Sequence, residues 1–231
     1  TFDTSRAPFD DVHARLAISH LVDREALAQV AYGDEAEVMR GMAPDGEFLP
    51  LAGSQESLDE FLSGLTQSEF DVEAARAELE QSATPDGFTV EVPYPSSEPF
   101  AEPVLLSLQQ AAEPLGIILE LKPQTFIEWA TDIYMFKPAQ LGMFQIGDLQ
   151  PDPNGGMALM IGAANAAPTK FNMAGWTPAS LEPTILDLTQ SSDRETRWEA
   201  AQEILTLAAE EMPYVPLFAP NTVLVYGGGY T

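Results

Sequence analysis

No cysteine occurs among the 231 residues, which removes disulfides, thiolate nucleophiles and cysteine-based zinc sites together and leaves the compartment undecided. Histidine is nearly as scarce. The two present, His13 and His20, share one face of a predicted helix without HExxH-type spacing, so they read as ordinary surface or core residues. No metal and no cofactor are expected. Positive charge is short as well: ten Lys and Arg stand against 36 Asp and Glu, a formal net charge of −26. Such a surface repels phosphate backbones and anionic headgroups, so nucleic acid is not an expected partner. No stretch approaches the roughly 20 apolar residues of a membrane-spanning helix. The opening Thr1-Phe2-Asp3 lacks a basic or apolar leader, so a soluble chain is expected, with any targeting signal outside these residues. Gly-x-Ser-x-Gly, P-loop and Gly-x-Gly-x-x-Gly patterns are missing too, and no catalytic residue is assigned.

What is present suffices for a sizeable core, since 45% of the residues are hydrophobic. Asp10 and Asp11 are placed to cap a helix bearing Val12, Leu16 and Ser19 on one face, and a second helix runs from Asp23 to about Tyr32, ended by Gly33. The Gly- and Pro-rich segment 34–54 reads as a long surface loop. Leu58, Phe61, Leu62 and Leu65 suggest a short amphipathic helix, and Asp71 caps the next, in which Ala75, Leu79 and Ala83 face inward.

After Thr84-Pro85-Asp86-Gly87, the alternation Phe88, Val90, Val92, Tyr94 has the period of a half-buried strand. A helix over about 103–115, a stop at Gly116 and a strand from Ile117 complete a β-α-β unit with parallel strands. A helix around 126–136 leads to an apolar run over 141–147, read as a third, central strand. Beyond it lies Gly147-Asp148-Leu149-Gln150-Pro151-Asp152-Pro153, at the carboxyl end where α/β sheets bind ligands. Helices follow over about 180–190 and, from a Ser192/Glu195 capping box, up to Pro213, with short strands at 214–218 and 222–226. No repeat or linker divides the chain.

Several segments together carry a resemblance. Phe2-Asp3-Thr4, Ala7-Pro8-Phe9-Asp10-Asp11-Val12, Asp23-Arg24-Glu25-Ala26, Pro85-Asp86-Gly87-Phe88, Glu128-Trp129-Ala130, Pro151-Asp152-Pro153, Gly175-Trp176 and Met212-Pro213-Tyr214-Val215-Pro216 resemble, in order, the C-terminal lobe of family 5 solute-binding proteins of ABC importers. The resemblance implies a three-layer α/β lobe of the periplasmic-binding-protein type (type II, cluster C) with a mixed central sheet. It also implies that residues 1–231 form one lobe of a two-lobed protein whose N-terminal lobe is not among them. The implied role is to bind a peptide or similar small solute between the lobes, outside the cytoplasm, in the periplasm or as a cell-surface lipoprotein. The solute would pass to ABC permease subunits, and contact with the membrane would run only through the transporter or a lipid anchor elsewhere.

By the same resemblance the ligand-binding candidates are Asp148, Trp129, Gly147, Asp152, Asn172 and Trp176. Peptide-binding members carry an acidic residue just before the Pro-Asp-Pro-like turn. Counted back from Pro151 that position is Leu149, so either the loop shifts by one and Asp148 meets an ammonium group, or the ligand has none. Asp148 and Asp152 can equally accept bonds from their own loop, Trp129 can pack in the core, and Trp176 can anchor its loop. Two other roles stand beside import. A ligand-sensing module would be marked by a DNA-binding head elsewhere in the gene, and a carboxylate-dependent hydrolase by turnover of chromogenic substrates.

Overall fold

The computed structural model describes residues 1–66, 68–134, 140–143 and 153–221. Asp11 caps α1 (Val12–His20) by accepting from His13 N. Of the expected face Ser19 is buried and Val12 and Leu16 are half-buried, Leu16 against the core, and Ala14, Arg15, Ala17 and Ile18 are inside as well. Arg15 bonds Glu211 O and Phe9 O at 2.7 Å each and draws that side of the helix inward. Asp23 caps α2 (Arg24–Tyr32), which stops at Gly33.

Segment 34–54 is not a plain loop. It holds β1 (Ala36–Val38) and α3 (Asp45–Ala52), the latter with Pro50 inside it and Phe48, Leu51 and Ala52 buried. Proline so near a helix end removes few internal bonds, so packing outweighs a residue that reads as a breaker in isolation. Ser54 caps α4 (Gln55–Gly64) and Asp71 caps α5 (Val72–Gln81).

The predicted β-α-β unit is present as β2 (Thr89–Pro95), α6 (Ala101–Ala112) and β3 (Ile118–Gln124), the strands parallel from Thr89↔Ile118 to Pro95↔Gln124. Both strands start from left-handed glycines: a Cβ on Gly87 would lie 2.2 Å from Gly116 O, so the two turns nest only because neither has a side chain. Next come α7 (Phe126–Tyr134) and α8 (Pro153–Leu159), the latter a helix where the sequence suggests loop. Of the expected strand over 141–147, Leu141 makes a bridge antiparallel to Phe2, and positions 144–147 lie outside the described residues. Then follow α9 (Glu182–Gln190) and α10 (Arg194–Glu211), capped by Asp193 rather than Ser192 because the Asp193 carboxylate takes both Thr196 N and Thr196 Oγ1. Among the described residues the last element is β4 (Phe218–Pro220), antiparallel to β1. Positions 222–226 lie outside the described residues.

Among the described residues this mixed α/β fold has two main cores. One gathers Phe2, Phe9, Ile18, Leu79, Val92 and Leu119 around β2, β3, α1, α5 and α6. The other gathers Phe48, Leu62, Ile161, Leu188 and Ile204 between α3, α4, α8, α9 and α10. They meet at Met212, which belongs to the first, and Tyr214, which belongs to the second.

Charge acts against this packing. A net −26 repels itself, and screening shortens from about 10 Å at 0.1 M salt to about 3 Å at 1 M. Thermal unfolding followed by circular dichroism at 0.1 M and 1 M NaCl is expected to show a midpoint higher by about 4–8 °C, the shift that corresponds to relief of roughly 2 kcal/mol in a chain of this size. A flat response would mean that repulsion does not limit stability.

Candidate functional site

The carboxyl ends of β2 and β3 lie side by side, with Ser96 N bonded to Gln124 O at 2.9 Å. There β3 turns directly into α7 through Thr125, whose N–H and hydroxyl donate to Glu128 Oε2 at 3.0 and 2.7 Å, while Glu128 N donates back to Thr125 Oγ1 at 3.3 Å. This reciprocal cap fixes where the helix starts. The Thr125 hydroxyl, and after it the Thr125 backbone N–H, hold the Glu128 carboxyl below its usual range.

The cap also sets Trp129, the next residue, whose N–H reaches Thr125 O at 3.0 Å. Its indole packs with Ile133 and Met173, against half-buried Ala130 and Phe171, as a small cluster separate from the two main cores. Phe126 leans on it at 5.6 Å between ring centroids. Phe126 and Ile127, in the first turn of α7, are 54% and 76% exposed, so this helix end presents apolar surface to solvent. Trp129 is 6% exposed, and its Nε1 has no hydrogen-bond partner. A second unpartnered atom, Gln124 Oε1, sits at the end of β3, where the same side chain donates to Asp132 Oδ2 at 2.8 Å. Buried polar atoms without partners cost about 1–3 kcal/mol each, which marks this end of the sheet as unsatisfied.

The loop facing Trp129 alternates. Phe171 and Met173 turn to the indole cluster, whereas Asn172, Ala174 and Trp176 turn away. Asn172 donates to Gly162 O (3.1 Å) and Trp176 O (2.8 Å), and its Oδ1 accepts from Trp176 N and Tyr214 OH at 3.2 Å each. Trp176 Nε1 donates to Glu211 Oε2 at 2.6 Å. The one proton of Tyr214 OH is shared between Asn172 Oδ1 and the nearer Met160 O at 2.7 Å, and burial pushes this phenol above its ordinary range. The polar atoms of Asn172 and the indole N–H of Trp176 are therefore committed to protein partners. Sequence reasoning picked these two and missed Phe171 and Met173. The period-two alternation of the loop, with apolar residues at 171 and 173, carries the signal.

Of the remaining candidates, Gly147, Asp148 and Asp152 lie outside the described residues. His13 and His20 do not converge: His13 Nδ1 meets Glu78 Oε2 at 2.7 Å and His20 Nδ1 meets Glu69 O at 2.9 Å. Among the described residues, no three His, Asp or Glu side chains come together as metal ligands, and no helix is long and apolar enough to cross a membrane.

Residues 1–168 match the family model described as bacterial extracellular solute-binding proteins, family 5 Middle. The chain is 22% identical over 235 residues to the glutathione-binding protein GsiB of Salmonella choleraesuis, covering 100% of the chain and 44% of that relative. It thus spans less than half the length of such relatives. Among solved structures, HbpA2 from Haemophilus parasuis superposes with a TM-score of 0.80 at 20% identity, covering 95% of the chain and 41% of HbpA2. The Helicobacter pylori protein DppA, an ABC transporter-associated periplasmic binding protein in complex with the peptide STSA, also superposes with a TM-score of 0.80, at 18% identity over 95% of the chain and 40% of DppA.

Proposed function

We propose, because the chain belongs to the bacterial extracellular solute-binding proteins of family 5, that it forms one wall of a two-lobed cleft that holds a small solute without converting it and passes it to an ABC permease. The other wall comes from a lobe outside these residues, in keeping with a chain that covers 44% of a relative's length. The solute is a peptide or a molecule like one. A relative named for glutathione and a structural neighbour holding STSA support that class. The protein works outside the cytoplasm, in the periplasm or at the cell surface.

The observation that carries this reading is the wall at the carboxyl end of β3, where Trp129, flanked by exposed Phe126 and Ile127, holds an unpartnered N–H. Phe126 and Ile127 offer apolar contact to a chain of varying side groups, and the buried indole behind them holds that helix end in place. By the family resemblance Asp148 is the candidate for the complementary charge that meets an α-ammonium group, with Gly147 and Asp152 as further ligand-binding candidates.

Calorimetry on the full-length two-lobed protein tests this with tripeptides and tetrapeptides bearing free or acetylated N-termini. Trp129→Ala is expected to weaken both sets about 10- to 100-fold, the equivalent of roughly 1.5–3 kcal/mol of lost aromatic burial. Asp148→Asn should weaken only the free-amine set, by roughly 10-fold or more, as for a charge-assisted hydrogen bond. Unchanged affinity in Trp129→Ala would remove this wall from the site. Equal losses for free and acetylated peptides in Asp148→Asn would remove the ammonium contact.

A further inference from the structure

Between Asp152 and Glu182 the sequence carries no Asp or Glu, in a chain that has 36 of them, and the one charged side chain in that stretch is Lys170. Two acids bond to the stretch from outside and pass the lysine by: Glu182 Oε1 accepts from Ala163 N at 2.9 Å and Glu211 Oε2 from Trp176 Nε1 at 2.6 Å. Every other Lys and Arg side chain among the described residues is bonded to a carboxylate or a carbonyl oxygen. Lys122, also at the surface, holds Glu91 at 3.5 Å and Glu120 at 3.0 Å. Lys170, exposed, has neither kind of partner among the described residues.

Its backbone is fixed although its side chain is free. Lys170 N donates to Ala167 O at 3.1 Å, which closes a turn with Pro168 second and Thr169 third. Thr169 sits at φ 69°, where the third position of such a turn ordinarily takes glycine, so a β-branched residue is held in a costly conformation. The base of the turn is pinned: Asn172 N reaches Asn165 O at 3.1 Å, and Asn165 Nδ2 reaches Ala158 O, in α8, at 3.0 Å. The residue that follows the lysine, Phe171, packs against the Trp129 cluster. Lys170 is thus presented from a pinned turn, one residue from the wall that carries exposed Phe126 and Ile127.

We infer that Lys170 is the contact for a carboxylate of the bound solute, so that this wall takes an anionic or zwitterionic peptide rather than a neutral or cationic one. The inference rests on the wall at the carboxyl end of β3 being part of the solute site. A surface of net −26 repels a carboxylate, and one that binds needs a cation not already committed to the protein's own acids. Lys170 is such a cation, and the acid-free stretch around it leaves no neighbour in sequence to compete for it. An ammonium on a flexible stem meets a carboxylate as a point charge, so the same contact serves the C-terminal group of a peptide or an acidic side chain.

Three peptides separate these two sources by calorimetry on the full-length two-lobed protein: trialanine, trialanine amide and Ala-Glu-Ala amide. Lys170→Gln is expected to weaken trialanine about 5- to 10-fold, between an exposed ion pair and a charge-assisted hydrogen bond, and to leave trialanine amide unchanged. A loss confined to Ala-Glu-Ala amide would assign the lysine to a side-chain carboxylate instead. Lys170→Arg, which keeps the charge, should keep the unaltered affinities. The substitutions fall on an exposed side chain without partners, so the unfolding midpoint should stay in place and the affinities are read on a folded protein. Equal affinities of Lys170→Gln and the unaltered protein for all three peptides, or equal losses for all three, would overturn the carboxylate contact while leaving the peptide site standing. If none of the three binds the unaltered protein, the peptide reading itself falls, and the carboxylate contact with it.

Discussion

The 231-residue chain alone is expected to bind a peptide more than about 1000-fold more weakly than the two-lobed protein, while folding on its own. A micromolar complex corresponds to about −8 kcal/mol. If association costs at least about 4 kcal/mol in lost translation and rotation, the contacts must supply about −12 kcal/mol. One wall that supplies half of them, about −6 kcal/mol, leaves a net of about −2 kcal/mol, a dissociation constant of tens of millimolar. Water makes the loss larger, because a half-covered ligand keeps its hydration and the wall around Trp129 stays wet. Parallel titrations of the chain and the two-lobed protein with one tetrapeptide, with circular dichroism to establish that the chain is folded, provide the comparison. Comparable dissociation constants would place the whole site within these residues and remove the two-lobed reading.

The parts of the fold legible in the sequence are those specified locally. Asp11, Asp23 and Asp71 each cap the helix they precede, because a short carboxylate ahead of an apolar-periodic run has few other uses. The alternation over 88–94 and the Gly87 and Gly116 turns likewise fix the parallel pair β2 and β3. What the sequence hides depends on distant partners. Ala36-Glu37-Val38 is too short to announce a strand and becomes one only when Phe218–Pro220 comes alongside. The helix around Pro50 depends on the second core, which takes up Phe48 and Leu51. On α1 an arginine lies inside beside the expected apolar face, because Phe9 O and the distant Glu211 O are there to receive it.

The site follows the same division. The placement of Trp129 at the carboxyl end of β3 is local, set by the strand end and by the Thr125/Glu128 cap. In the loop 171–176 the two candidates, Asn172 and Trp176, bond to protein partners. A Trp and an Asn look like ligand contacts in a Gly- and Ala-rich connection, and nothing local reveals that Tyr214 and Glu211, some forty residues on, engage them. The apolar neighbours at 171 and 173, less conspicuous as chemistry, are the ones that reach Trp129.

Asn172→Ala is accordingly expected to act on stability first. The substitution strips partners from Gly162 O, Trp176 O, Trp176 N and Tyr214 OH at a position with 0% exposure. Water cannot readily replace them there. Leaving buried groups unsatisfied costs about 1–3 kcal/mol apiece, but Tyr214 OH keeps its bond to Met160 O and the loop can relax, so the net loss should be about 3 kcal/mol. In a chain of this size that lowers the unfolding midpoint by about 6–12 °C. Trp176→Phe, which keeps the aromatic bulk and forfeits the bond to Glu211, should cost less, about 1–2 kcal/mol. The order of the two effects is the decisive readout: calorimetric unfolding of both variants should rank Asn172→Ala well below Trp176→Phe. If Asn172→Ala instead kept the unaltered midpoint and lost peptide affinity in the two-lobed protein, the node would be a ligand contact and the loop would have to turn the other way.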